Sequence, residues 1–207
     1  LNTSHSTQQT LSPDQALDLL KEGNRRFVSG QPAQPRMTNA KLRGLLAHEQ
    51  RPFCVLVGCS DSRVSPELLF GRGLGDLFIV RNAGNVVDLA AMGSIEYGVA
   101  VLGAPLVLVL GHERCGAVEA AVKVVREDAV FPGSIGQMIE PIIPAVLRAQ
   151  REGHDDLLEH SVRANVHRVV DQLRTTEHML QAPQREGRLK IVGARYDLDD
   201  GNVEFFD

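Results

Sequence analysis

Three uninterrupted apolar runs of strand length, Phe53–Val57, Leu77–Val80 and Leu106–Leu110, constrain this chain more than any other feature of its sequence. A strand that is apolar at every position has no solvent-facing side, so it must be covered on both faces, as in a buried parallel sheet. Asp88 to Leu102, rich in Ala and Gly, reads as the crossover helix between the second and third runs. Cys115–Arg126, Ser134–Gln150 and Asp155–Leu180 read as further helices before a last strand at Leu189–Tyr196. The turn Asp199-Asp200-Gly201 then predicts a hairpin with Val203–Phe206. The expected class is α/β: a mainly parallel central sheet flanked by helices, with a C-terminal strand hairpin.

Ahead of the first run, Ser12-Pro13-Asp14-Gln15 combines a capping residue, a proline suited to the first helical position and a Gln three after the cap. Ala16, Leu17, Leu20 and Phe27 give the helix that follows an apolar stripe, and a second short helix is expected from Asn39 to Glu49. Residues 1–49 thus read as an extension and helical arm, and 50–207 as an α/β catalytic domain, the whole being one domain.

With 22 Lys+Arg against 26 Asp+Glu, a net charge of -4 and no basic block, nucleic acid is not an expected partner. The longest apolar stretch, Val99–Leu110, is interrupted by Gly103 and Pro105 and is too short to span a bilayer, so no membrane is expected either. The polar opening lacks the apolar core of a secretory signal. A cytoplasmic protein is the reading, with an exported protein whose signal has been removed as the alternative. Three cysteines do not make a disulfide framework, and no Cys-x-x-Cys redox pair occurs.

Two of the runs end in Gly58-Cys59-Ser60-Asp61-Ser62-Arg63 and Gly111-His112-Glu113-Arg114-Cys115-Gly116. Ligands of open parallel sheets bind just past the strand ends, so the two motifs can face one another. Thiolates and an imidazole suit zinc, and three protein ligands with an open fourth position are the catalytic pattern. Cys59, His112 and Cys115 supply three. Asp61 has two roles open to it: to take the fourth position, or to pair with Arg63 and accept a hydrogen bond from metal-bound water. Cys54, inside the first strand, reads as a small core hydrophobe. His160 and His167 lack a cysteine or regular acidic partner and read as a solvated or interface face.

Cys59-x-Asp61-x-Arg63 followed by His112-x-x-Cys115 resembles the signature of the beta-class carbonic anhydrases. The resemblance continues through Arg81-Asn82-Ala83-Gly84-Asn85, Gly93-Ser94-Ile95-Glu96-Tyr97 and Tyr196-Asp197, and is weakest between Val124 and Arg188. It implies reversible hydration of carbon dioxide to bicarbonate by zinc-bound hydroxide. It also implies a homodimer or a higher assembly of dimers, with the N-terminal helices against the neighbour. Gln50, Phe78 and Tyr97 match the residues that line the carbon dioxide pocket in plant-like members.

One departure matters. The bicarbonate-inhibited subgroup carries a Trp three residues before the first zinc Cys, where this chain has Leu56 and no Trp anywhere. Arg81 matches that subgroup's bicarbonate-binding Arg without its partner. An open site is therefore expected, with water as fourth ligand and Asp61 paired to Arg63. Zinc lowers the pKa of its water to about 7, as is known for carbonic anhydrases generally. Two thiolates already cancel the formal charge of the zinc, which raises the importance of Asp61 as acceptor and of Arg63 as its anchor. Two other functions are compatible with the same ligands: hydrolysis of carbonyl sulfide or carbon disulfide, and an inactive zinc-bearing scaffold.

Overall fold

The apolar runs pair side by side in one sheet of order β2-β1-β3-β4-β5. Its strands are β1 (Cys54–Gly58), β2 (Leu77–Arg81), β3 (Leu106–His112), β4 (Lys190–Tyr196) and β5 (Val203–Phe206). The first four run parallel and only β5, the return arm of the hairpin, is antiparallel. The structure is a computed structural model that describes residues 11–31, 40–153, 155–175 and 178–206.

Period-two alternation sorts each central strand between two cores. Val55, Val57, Val107 and Val109 point to one face, where α4 (Leu89–Glu96), α8 (Leu157–Thr175) and α9 (His178–Arg185) cover them. Cys54, Leu56, Leu106, Leu108 and Leu110 point to the other, under α1 (Pro13–Val28) and α3 (Pro66–Leu69). Leu56, Leu106, Leu108 and Leu110 are fully buried, each contributing about 1.5–3 kcal/mol. A third cluster joins Val118, Ile142, Val146 and Val162 beneath Cys59 and Cys115. Its helices are α5 (Gly116–Glu127), α7 (Ile143–Glu152) and α8.

The capping box forms as expected: Ser12 Oγ accepts from Gln15 N at 3.2 Å, and Ser12 N donates to Gln15 Oε1 at 2.8 Å. The N-terminal helix lies on its own chain's sheet. Ala16, Leu17 and Leu20 enter the second core, and buried Asn24 donates to Gly201 O and accepts from Val203 N, both at 2.9 Å.

Several boundaries differ from expectation. The second helix, α2, covers Ala40–Leu46 and stops short of Glu49; Asn39 lies outside the described residues. The expected helix Ser134–Gln150 is broken into α6 (Ser134–Ile139), a 3-10 turn at Glu140–Ile142 and α7, because Pro141 and Pro144 remove amide donors. Asp155–Leu180 is likewise two helices, α8 and α9. The crossover helix ends in a π-turn at Tyr97–Val101. Among the described residues no helix is long and apolar enough to cross a membrane.

Candidate metal centre

Parallel register places both motifs at one edge of the sheet. Gly58 pairs with Leu110, so Cys59, one residue past β1, comes level with the end of β3. That strand runs further than its apolar run indicates and includes His112, which pairs with Tyr196 of β4. Beyond it the chain reverses tightly, with Arg114 at φ 49°, and brings Cys115 to the N-cap of α5. Free amides and the helix dipole there favour a thiolate.

Cys59, His112 and Cys115 are 5%, 0% and 1% exposed. Their ligand atoms all lie within 4.8 Å of one another, the two sulfurs 4.0 Å apart. His112 Nδ1 is 2.8 Å from Glu113 O. A carbonyl can only accept, so Nδ1 is the donor to it, and in the neutral ring the lone pair is left on Nε2. Nε2 is buried and has no hydrogen-bond partner among the described residues. Two convergent sulfurs and an unpaired buried imidazole nitrogen are a donor set that fits zinc.

The charges point the same way. The Cys59 thiol is pulled down to about 4, first by its hydrogen bond with Cys115, then by His112 and the Gly84 and Asp61 amides, against the opposing effect of burial. The Cys115 thiol is pushed up by the neighbouring Cys59 sulfur and by burial. The pair holds one negative charge readily and a second only with a cation between them.

Asp61 stands at the rim. Arg63 donates to it three times, from Nε to Oδ1 at 2.9 Å, from Nη2 to Oδ2 at 2.8 Å and from its backbone N to Oδ1 at 2.9 Å. This grip holds the Asp61 carboxyl well below the usual carboxylate range. Oδ2 lies 3.9 Å from His112 Nε2.

The three expected pocket residues lie elsewhere. Phe78 pairs with Val55, four residues of strand before Cys59, or about 13 Å. Tyr97, at the start of the π-turn, meets Phe78 with ring centroids 6.1 Å apart. Gln50 is on the segment entering β1, in a surface groove with Arg43, Leu46, His48 and Leu74. Within one chain the Cys59, His112 and Cys115 cluster and these residues lie toward opposite ends of β1.

Residues 54–203 match the family model described as carbonic anhydrase. The chain is 43% identical over 192 residues to carbonic anhydrase 2 of Mycobacterium tuberculosis (strain CDC 1551 / Oshkosh), covering 93% of this chain and 92% of that one. The chain belongs to the beta-class carbonic anhydrases. Among solved structures, the beta-carbonic anhydrase CcaA superposes with a TM-score of 0.72 at 28% identity, covering 92% of this chain and 95% of that one. One of two tetrameric beta-carbonic anhydrases from Sordaria macrospora gives 0.72 at 25% identity, covering 81% and 87%.

Two features of this carbonic anhydrase escaped the sequence reading. Arg81, matched there to a bicarbonate-binding residue, is committed to backbone: Nε donates to Cys59 O at 2.8 Å, and Nη2 to Asp61 O at 2.7 Å and Val64 O at 2.8 Å. It thereby holds the loop that carries both Cys59 and Asp61. Gly84 N donates to Cys59 Sγ at 3.3 Å, from a backbone with φ 70° where an added Cβ would stand 2.7 Å from Ile142. The Arg81–Asn85 segment held the signal, but only as a family match. Glu113 and Arg114 brace the rim, Arg114 pairing with Asp199 at 2.7 Å and Glu113 accepting from Leu198 N at 3.2 Å. The carboxylates of Glu113, Asp197 and Asp199, which also converge, are matched by Arg114 and Arg195.

Proposed function

We propose that the chain hydrates carbon dioxide reversibly to bicarbonate and a proton, with zinc held by Cys59, His112 and Cys115 and the nucleophile oriented by Asp61 and Arg63. One observation carries this reading: three buried donor atoms converge while the Asp61 carboxylate stays outside the donor set, bound to Arg63. Zinc, when bound, makes water available as a nucleophile near neutral pH. The protein's part is to position. Asp61, kept ionised by Arg63, accepts the hydrogen bond of the attacking oxygen at Oδ2 and turns its lone pair toward carbon. Arg81 keeps the Cys59–Val64 backbone from relaxing, and the apolar cluster of Val86, Val118 and Ile142 shields the ligands from bulk water. The same Asp61–Arg63 pairing, with Leu56 in place of a Trp, supports the open form, in which Asp61 would stay with Arg63 and leave a metal at Cys59, His112 and Cys115 accessible to water.

Gln50, Phe78 and Tyr97 enter this reading through a second copy of the chain. They are too far along β1 to serve their own metal site, yet Tyr97 is exposed on the same crossover segment as Leu89 and Val101. An apolar surface of this kind supports a homodimer, or dimers assembled further, in which each copy lines the other's pocket. Residues 1–49 as arm and 50–207 as catalytic domain belong to the same reading.

The test is metal analysis with stopped-flow hydration. The expected result is one zinc per chain and hydration of carbon dioxide faster than hydrolysis of carbonyl sulfide. A stoichiometric zinc protein that leaves carbon dioxide at the buffer rate would overturn it.

A further inference from the structure

Cys59 receives one hydrogen bond that neither metal-binding motif supplies, the 3.3 Å contact from Gly84 N. The Gly84 peptide is itself held from behind. Its carbonyl accepts at 2.9 Å from Nδ2 of Asn165, a fully buried side chain in the middle of α8. The acceptor is a carbonyl, so the amide must present its nitrogen, and the orientation of Asn165 follows from chemistry. This is the one side-chain hydrogen bond that Asn165 makes among the described residues.

The helix reaches this depth because the sheet beneath it lacks two side chains. A Cβ on Gly111 would stand 2.5 Å from Val166, and one on Gly193 would stand 2.8 Å from it. Val166 therefore seats directly on β3 and β4 and carries its neighbour Asn165 to Gly84. The chain of contacts runs from the α8 side chain, through one peptide unit, to one sulfur of the metal centre.

A hydrogen bond to a thiolate draws electron density from the sulfur and fixes the direction of its remaining lone pairs, and such outer contacts tune ligand strength. We propose that Asn165 is a positioning residue of the metal centre, acting through the Gly84 peptide to aim the Cys59 sulfur and moderate it as a donor. The inference rests on the reading of Cys59 as a metal ligand. It adds a residue more than 100 positions away in sequence, between two helical turns that carry no motif.

The test compares full-length wild type, Asn165→Leu, Asn165→Ser and, as a control, Asn24→Leu. Asn24 is also a buried amide with two backbone partners, but it joins α1 to the β4–β5 turn. Each protein is loaded with cobalt(II), and its near-ultraviolet thiolate-to-cobalt charge-transfer band is recorded; zinc affinity is measured by competition with a chelator. The expected result is a band moved to lower energy in both Asn165 variants, since a Gly84 peptide no longer held by Asn165 gives the Cys59 sulfur a weaker hydrogen bond, and a less strongly bonded thiolate gives up electrons more easily. Zinc affinity should fall by about tenfold, while Asn24→Leu leaves band and affinity at their wild-type values. If Asn165→Leu does not fold, Asn165→Ser, too short to reach the carbonyl, carries the comparison. An Asn165 variant that melts lower but keeps the wild-type band has lost only packing, and that result overturns the proposal. A wild-type protein with no thiolate band overturns the metal reading itself, a result distinct from an unchanged band in the variants.

Discussion

Cys54 opens β1 and Cys59 follows its last residue, both thiols are buried, and their chemistry diverges. Cys54 sits among Leu56, Leu106, Leu108 and Phe70, and burial pushes its thiol far above the ordinary value. Cys59, no more than 5% exposed, is pulled down to about 4. Burial by itself therefore does not set the charge of a thiol; the donors around it do. Within the sheet, backbone amides are largely consumed by the strand ladder, and the one backbone contact that favours a Cys54 thiolate, from Leu108, is outweighed by burial. Past the C-terminal ends of parallel strands the loops offer uncommitted amides, here those of Gly84 and Asp61, and a second motif can come close.

The contrast can be broken most decisively at the metal. Cys59→Ala, His112→Ala and Cys115→Ala are each expected to lose zinc and fall to the uncatalysed hydration rate, measured by metal analysis and stopped-flow. Retention of stoichiometric zinc by any of them would show that the three donors are not one site. Reactivity reports the thiols directly. In protein stripped of metal by a chelator, alkylation of an ordinary thiol would rise on the order of 10²-fold between about pH 6 and pH 8. The Cys59 rate should stay within about twofold, because a thiol pulled to about 4 is ionised across that range, and Cys54 should stay unmodified. Peptide mapping after timed alkylation distinguishes them, and a steep pH dependence at Cys59 would erase the difference.

A smaller effect sharpens the role of the rim. Asp61→Ala should keep its zinc and lose about 10- to 100-fold in turnover, since it removes an oriented acceptor and no ligand. Undiminished turnover in a zinc-loaded Asp61→Ala protein would remove that residue from the mechanism. Arg63 holds the Asp61 carboxyl well below the usual range, so no loss of rate from Asp61 protonation is expected as pH falls toward about 5. The smallest effect lies at the quiet end of the strand. Cys54→Ala should leave zinc and turnover unchanged and cost about 1 kcal/mol, a fall in melting temperature of about 2–4 °C. Loss of metal from this variant would mean that the two ends of β1 are not independent.

How legible the molecule is from its sequence follows the range of the forces involved. Three of the four parallel strands are written in continuous apolar runs, the hairpin in its turn, and the first helix in its capping box at Ser12. The break at Pro141 and Pro144 is equally local, each proline removing an amide donor inside a stretch that otherwise reads as one helix. At the site, the Cys59, His112 and Cys115 cluster was legible because metal-binding residue types stand there just past strand ends. Arg81 and Gly84 were not, because their contacts join residues about 20 apart and Arg81 works through carbonyls that every residue possesses.

The sequence by itself determined the fold class, the family and the three residues that could hold a metal, all of which depend on residue type and short spacing. Only the tertiary structure decided that Cys59 and Cys115 face each other and share a charge while Cys54 stays a core thiol, that Arg63 grips the Asp61 carboxylate, and that Phe78 pairs with Val55, about 13 Å along β1 from Cys59. These depend on the register of neighbouring strands and on donors delivered from distant segments, and neither is encoded in the spacing of residues along the chain.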